Sequence, residues 1–290
     1  MFSMSMNLKP LQFVLPVSQV AGGEPEIHTA ETLSHAAYHS DRSAVSSSQL
    51  KLILRSPLHF QHGLQAPHIE TPAMRIGTAI HTALLEPERF LNLYRVAPEK
   101  GRSAADKLAF ANYVTAHPDK ILISRLEMDM VEAVQQAVAR HQLASRILRM
   151  GQAETSIFWH DPETGIRCKC RPDLLVSPWL ILDIKTTEDA SEDAFMRSCA
   201  QYRYDLSAAM YREGVWHATH KSLDFVFLAV EKKLPYAVAL YRASDQFLEH
   251  GDMLFRRALS TLKDCRQTGV YRGYQPDGVI SEIDLPRWYR

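Results

Sequence analysis

The stretch RPDLLVSPWLILDIKTT, residues 171–187, sets Asp173, Asp183 and Lys185 among some of the most apolar residues of the chain. A packed sheet would carry valine or leucine at those positions, so the charges need a reason. WLILDIKTT alternates as a strand does: Leu180, Leu182 and Ile184 share one face, and Ile181, Asp183 and Lys185 the other. Asp183 and Lys185 then project together, about 6–7 Å apart by the usual strand rise. A turn at Ser177-Pro178 lets the preceding segment lie alongside, antiparallel, with Asp173 opposite the pair. Two carboxylates converging at a sheet repel each other, and burying them unpaired costs on the order of several kcal/mol. A divalent cation removes that cost, and hard oxygen ligands suit Mg2+ or Mn2+. The simpler reading, a surface salt bridge from Asp183 to Lys185 with Asp173 in a turn, conflicts with the apolar flanks on both strands.

The rest of the chain gives this stretch its setting. A length of 290 residues suits one large domain or two small ones. Residues 1–34 show no sustained period and contain a Gly-Gly and two prolines, and they read as an extension outside a domain spanning 35–290. Helical spacing begins at SSSQLKLILRSPLHFQ, where Pro57 disturbs or ends the helix. It returns in PAMRIGTAIHTALLEPERF, within 101–117, where a basic loop leads into a helix, and over 124–149. The pattern then changes to strands: ETSIFWH, GIRCKCRPDLLV and WLILDIKTT, followed after a long helix over 190–216 by DFVFLAVE and YAVALYRA. Residues 244–267 close the pattern as a helix. Helices, five strands with an inserted helix, then a helix describe a mixed α/β domain.

Composition excludes little. Lys+Arg and Asp+Glu balance at 33 each, which argues neither for nor against nucleic acid, since binding depends on local basic patches. The four cysteines include only one close pair, Cys168 and Cys170; a lone C-x-C lacks the second pair of a structural zinc site, so both read as strand thiols. LQFVLPV is too short and poorly flanked for a signal peptide, and no run approaches a membrane span, so a reducing cytoplasm is the expected compartment. His59, His62 and His68 lack carboxylate or thiolate companions, and His35-Ala-Ala-Tyr-His39 lacks the glutamate of a zinc-protease helix.

Pro172-Asp173 and, after nine intervening residues, Asp183-Ile184-Lys185 resemble the PD-(D/E)XK nuclease signature. CKCRPDLLVSPWLILDIKTT and the upstream GTAIHTALLEPERF are most similar to the nuclease domain of phage and prophage exodeoxyribonuclease VIII (RecE-type), and the helix-borne histidine also resembles that of RecB-type nucleases. The likeness runs from about residue 35 to the C-terminus and includes SPLHF, the basic stretch Lys100–Lys107, YRYDLSAAMY and LPRWYR. PD…D-x-K alone is weakly specific; the ordered set is strongly so.

The resemblance implies a PD-(D/E)XK fold, a central mixed five-stranded sheet flanked by helices with an N-terminal helical region. It implies that Asp173, Asp183 and the Ile184 carbonyl ligate Mg2+ (Mn2+ substituting), with His81 at the metal and Glu154 as a further ligand. Lys185 would stand beside the attacking water and the phosphate, a role that suits a compact ammonium. Tyr211 matches the tyrosine of a Gln-x-x-x-Tyr element, in which the shorter Ser207 stands at the glutamine position; helical spacing puts both on one face, where they could line a DNA groove. Arg75, Lys100, Arg102, Lys107, Arg171 and Arg203 are, as a group, candidates for holding the phosphate backbone.

The expected activity is a Mg2+-dependent exodeoxyribonuclease acting on linear duplex ends. The resemblance adds processive 5′-to-3′ degradation exposing single strands for recombination, a ring-shaped homo-oligomer, most simply a tetramer, and a single-strand annealing recombinase as partner. Other readings are another PD-(D/E)XK nuclease such as an iron–sulfur RecB-like one, against which the scattered cysteines argue, or a non-catalytic DNA-binding module, which would have no need to keep converging carboxylates.

Overall fold

A computed structural model describes residues 24–66 and 70–286. β1 (Glu26–His28) and α1 (His35–Ser40) open it. α2 (Ser47–Arg55) starts behind Ser46, whose N–H donates to Gln49 Oε1 at 2.9 Å. Pro57 ends α2 and begins α3 (Pro57–Gln65), capped by Ser56. α4 (Pro72–Leu85) and α5 (Pro87–Leu93) follow, then β2 (Tyr94–Val96), α6 (Ala104–Ala116), β3 (Ile121–Ile123), α7 (Arg125–Arg140) and α8 (Gln142–Leu148). The strand-rich part comprises β4 (Gln152–Ala153), β5 (Ser156–His160), β6 (Arg167–Cys170), β7 (Leu174–Val176) and β8 (Leu180–Thr187). α9 (Glu192–Tyr202), α10 (Tyr204–Thr219), β9 (Asp224–Glu231), β10 (Val238–Arg242) and α11 (Asp245–Thr268) complete it. No helix of the described residues is long and apolar enough to cross a membrane.

The central sheet has five strands in the order β10-β9-β8-β7-β4. β8 and β9 run parallel, and the other neighbours are antiparallel, so the sheet is mixed as expected. Helices cover both faces, and between their ends β8 and β9 are accordingly apolar on both sides apart from Asp183 and Lys185. Leu174, Leu182, Ile184, Leu228 and Val230 meet Ile76, Ile80, Val131 and Val134 of α4 and α7. Leu175, Ile181, Phe225, Phe227 and Ala229 belong to a second cluster with residues of α2, α10 and α11. α11 approaches α10 closely at Gly251, where a Cβ would stand 2.1 Å from the Asp205 carbonyl oxygen. Only glycine permits that contact.

The five strands differ in membership from those read in the sequence. GIRCKCRPDLLV is not one strand: β6 joins β1 and β5 in a separate three-stranded sheet, while β7 belongs to the central one, and the short β4 takes the fifth place. The break falls at Arg171-Pro172-Asp173, where proline has no N–H to give a ladder. The helix expected over 190–216 is also two. Arg203 adopts a left-handed conformation (φ 52°), its N–H closing α9 on the Cys199 carbonyl, and α10 sets off in a new direction. α9 buries Phe195 and Cys199, whereas α10 buries every residue from Asp205 to Met210. All four cysteines are free and buried, Cys168 and Cys170 within β6. Of the extension expected over 1–34, residues 1–23 lie outside the described residues, and Glu26–His28 pair with β5.

Candidate active site

The β7–β8 register pairs Leu174 with Leu182, so one step further along the ladder Asp173 faces Asp183. Asp173 stands just before β7, and its Oδ2 accepts the Ile184 backbone N–H at 2.6 Å. The same oxygen lies 3.5 Å from His81 Nδ1, which α4 brings over the end of the ladder. Asp183 is buried at 3% exposure, and its Oδ2 touches the Lys185 ammonium two residues along the same face. Residues 173, 183, 185 and 81, dispersed over a hundred positions of sequence, thus meet in one place.

Their electrostatics follow from burial and mutual charge. Burial works against the Asp173 carboxylate, but His81, Lys185 and the Ile184 N–H outweigh it and hold its pKa below the ordinary value. Asp183 goes the other way: burial, joined by the Asp173 charge, outweighs Lys185 and raises it. Burial also opposes charge on Lys185, yet Asp183 and Asp173 keep it protonated well beyond the ordinary lysine range. His81 is raised because Asp173 more than offsets its burial.

Glu154 sits between β4 and β5 in a left-handed conformation (φ 53°), its N–H donating to the Asp173 carbonyl at 3.0 Å. Its carboxylate lies 2.8 Å from Arg171 Nε. Burial first, and then the Asp173 charge, push its pKa up to about 7 against the pull of Arg171. Tyr211 packs its ring against Phe225 and feels both aspartates; burial and those charges raise its pKa well above the ordinary value. Ile184 is fully buried, and Ser207, expected to line a groove, is buried at 7% exposure.

The basic residues divide. Lys100, Arg102, Lys107 and Arg203 are exposed, and α6, which carries Lys107, buries none of its residues. Arg75 is ion-paired with Glu127 of α7. Arg171 is not presented to solvent as a phosphate-binding residue would be: at 6% exposure it spends its charge on Glu154 and donates to the Leu33 carbonyl at 3.2 Å. His59 hydrogen-bonds Ser56 Oγ at 2.7 Å, while His68 lies outside the described residues.

Two side chains near Lys185 were given no role from the sequence, although Tyr204 falls within YRYDLSAAMY. The Tyr204 ring lies 5.0 Å from the Lys185 ammonium, and Lys51 of α2 reaches the same ring at 5.6 Å. In LKLIL a lysine between leucines reads as the polar face of an amphipathic helix, and only the docking of α2 on α10 turns it inward.

Among the described residues no three metal-ligating side chains already converge on one point. The donor set still fits a hard divalent cation: two opposed carboxylates, one raised by burial and by the other's charge, with Glu154 nearby raised by burial and by the same aspartate.

Residues 46–274 match the model of a family described as a PDDEXK-like domain of unknown function (DUF3799). No curated protein matches the sequence. Among solved structures, an inferred exonuclease from Eubacterium rectale is 14% identical, covering 88% of this chain and 96% of its own, with a TM-score of 0.58. That likeness is one of fold. An alkaline exonuclease from Laribacter hongkongensis is 12% identical over 66% of this chain and 91% of its own, at a TM-score of 0.29, too low to bear on the argument.

Proposed function

This chain belongs to the PDDEXK-like domain family, and on that premise we propose that it is a divalent-metal-dependent deoxyribonuclease that hydrolyses linear duplex DNA from its ends. The observation that carries the reading is the facing of Asp173 and Asp183 across the β7–β8 ladder with Lys185 on the same face. A structural role does not account for two opposed carboxylates at the centre of a sheet; metal-assisted hydrolysis of a phosphodiester does.

Asp173, Asp183 and the Ile184 carbonyl would hold the ion, with His81 and Glu154 beside them. Mg2+, with Mn2+ as substitute, when bound supplies positive charge at the scissile phosphate and a water of lowered pKa. The protein's own part is positioning. The Ile184 N–H and His81 orient the Asp173 carboxylate, and the Lys185 ammonium turns from Asp183 to a phosphate oxygen, where it stabilises the charge that grows during attack. Tyr211, behind the aspartates, backs the site, and exposed Lys100, Arg102, Lys107 and Arg203 would contact the duplex backbone.

The finer reading is a RecE-type exonuclease: processive, 5′-to-3′, acting as a ring-shaped homo-oligomer, most simply a tetramer, in the cytoplasm, and leaving single strands for an annealing recombinase. Its support is the ordered motif set described above.

The test is nucleotide release from linear duplex DNA with Mg2+, comparing wild type with Asp183→Ala and Lys185→Ala. Wild type should release nucleotides with time, both variants should lose nearly all activity, and EDTA should abolish it. Equal activity in Asp183→Ala would overturn the assignment. An inactive wild type that still binds duplex would favour a binding module. A closed-circular substrate separates exonuclease from endonuclease, and end-labelling gives polarity.

A further inference from the structure

The ring of Tyr204 has an ammonium group on it from each of two lysines, Lys185 at 5.0 Å and Lys51 at 5.6 Å. Lys185 has a counter-ion in Asp183. Lys51 makes no ion pair among the described residues. The nearby carboxylate of α10, Asp205, is already committed: its Oδ2 lies 2.6 Å from His250 Nδ1 and its Oδ1 accepts the Leu206 N–H at 2.9 Å. Lys51 is half-buried between Leu50 and Leu52 on a helix docked against α10 and α11. A sequestered cation beside another cation, with an aromatic ring as its partner, is costly unless an anion completes it.

Resting on the nuclease reading above, we propose that Lys51, with Tyr204 and Lys185, forms a second phosphate-binding site that takes a phosphate group of the substrate strand other than the scissile one. Lys185, shared between the two positions, links them: its ammonium meets Asp183 and also lies over the ring it shares with Lys51. An ammonium on a flexible stem suits a phosphate oxygen as a point charge. The site opens outward along an aromatic pair, since Tyr202 stacks on Tyr204 at 5.7 Å and is 53% exposed, giving a base next to that phosphate a surface to stack on. Burial, and after it the Lys185 charge, push the Lys51 pKa down to about 8, which leaves it mostly protonated at neutral pH.

A purely structural lysine would stabilise the fold through the Tyr204 ring, whereas a phosphate-binding lysine is a burden on the free protein. Lys51→Met separates the two. Duplex binding is measured by fluorescence anisotropy with Ca2+ in place of Mg2+, alongside KM, kcat and Tm, on ends carrying a 5′-phosphate, ends carrying a 5′-hydroxyl, and a nicked circle. The variant should bind about tenfold more weakly or worse, as loss of a charge-assisted contact implies. The loss should fall on KM more than on kcat, Lys51→Arg should recover part of it, and Tm should hold or rise. A defect confined to 5′-phosphorylated ends identifies a terminal phosphate; an equal defect on all three substrates identifies an internal phosphodiester. Unchanged binding and KM in Lys51→Met, with wild type active and Asp183→Ala inactive, would overturn this proposal and leave the nuclease reading standing. So would a loss of binding that tracks a fall in Tm. An inactive wild type overturns both.

Discussion

Asp173 Oδ2 accepts the Ile184 N–H at 2.6 Å, so the first carboxylate of the site is held by the strand that carries the second. β8 supplies Asp183, Lys185 and the donor that orients Asp173, and any shift of β7 against β8 would break all three relationships together.

Metal binding should therefore register as stability. In the absence of DNA, added Mg2+ should raise the Tm of the wild type by relieving the Asp173–Asp183 repulsion, and EDTA should reverse it. Asp183→Asn, which removes one of the charges, should show little such rise. Thermal scans with and without Mg2+ check this, and a Mg2+-insensitive wild type would count against the two-carboxylate site.

Lys51 should make stability depend on alkaline pH. It faces Lys185 and Asp183 of β8 and Tyr204 and Asp205 of α10, and its pKa falls from the ordinary lysine value to about 8. Between about pH 8 and the unfolded value near 10.4 the unfolded chain binds more protons, so stability contributed at this position rises with pH there. Lys51→Met should exceed the wild type in stability by at most about 3 kcal/mol at pH 7, with the gap closing by about pH 10. Urea melts across that range measure it.

Glu154 and Arg171 are buried together and should fail separately. Arg171→Met removes the charge that holds the Glu154 carboxyl down, and because that carboxyl can take up a proton at neutral pH, the electrostatic cost should be modest at pH 7 and grow as pH rises above it. Glu154 has a raised pKa, near 7, so stability at this position is fully present below the unfolded glutamate value and is lost as pH rises through about 7. The Arg171→Met penalty should therefore shrink at pH 5, and Glu154→Gln/Arg171→Met should recover much of it. A double-mutant cycle at two pH values decides.

Gly251→Ala should destabilise by more than the roughly 1–3 kcal/mol usual for overpacking, because the new methyl meets a backbone oxygen that has no rotamer to escape into. Denaturant unfolding of the variant measures the loss; a stability within error of wild type would mean that α10 and α11 can part.

Much of the site was legible because local chemistry is written locally. Asp183 and Lys185 share a strand face through the two-residue repeat of β structure, Pro57 and Ser56 mark a helix boundary, and Ser244 and Gly269 bracket α11 as caps do. The burial of Arg171, offered with five other basic residues for the phosphate backbone, is not legible because its charge gives no sign of the glutamate seventeen positions back that consumes it. The strand split at Pro172 is not legible for a related reason: β6 and β7 are both apolar, and which sheet each joins depends on partners elsewhere in the chain.

By itself, then, the sequence determined the types of the longer elements, the apolar faces and the identity of the groups at the centre, since these follow from backbone stereochemistry and side-chain period. The tertiary structure alone decided which charges are spent and which are left over. His81 is drawn to Asp173, Arg171 to Glu154, and Lys51 to the ring of Tyr204 with no ion pair among the described residues. The reason is that a charge in water is nearly indifferent to its neighbours, and burial makes the nearest partner, or its absence, the dominant interaction.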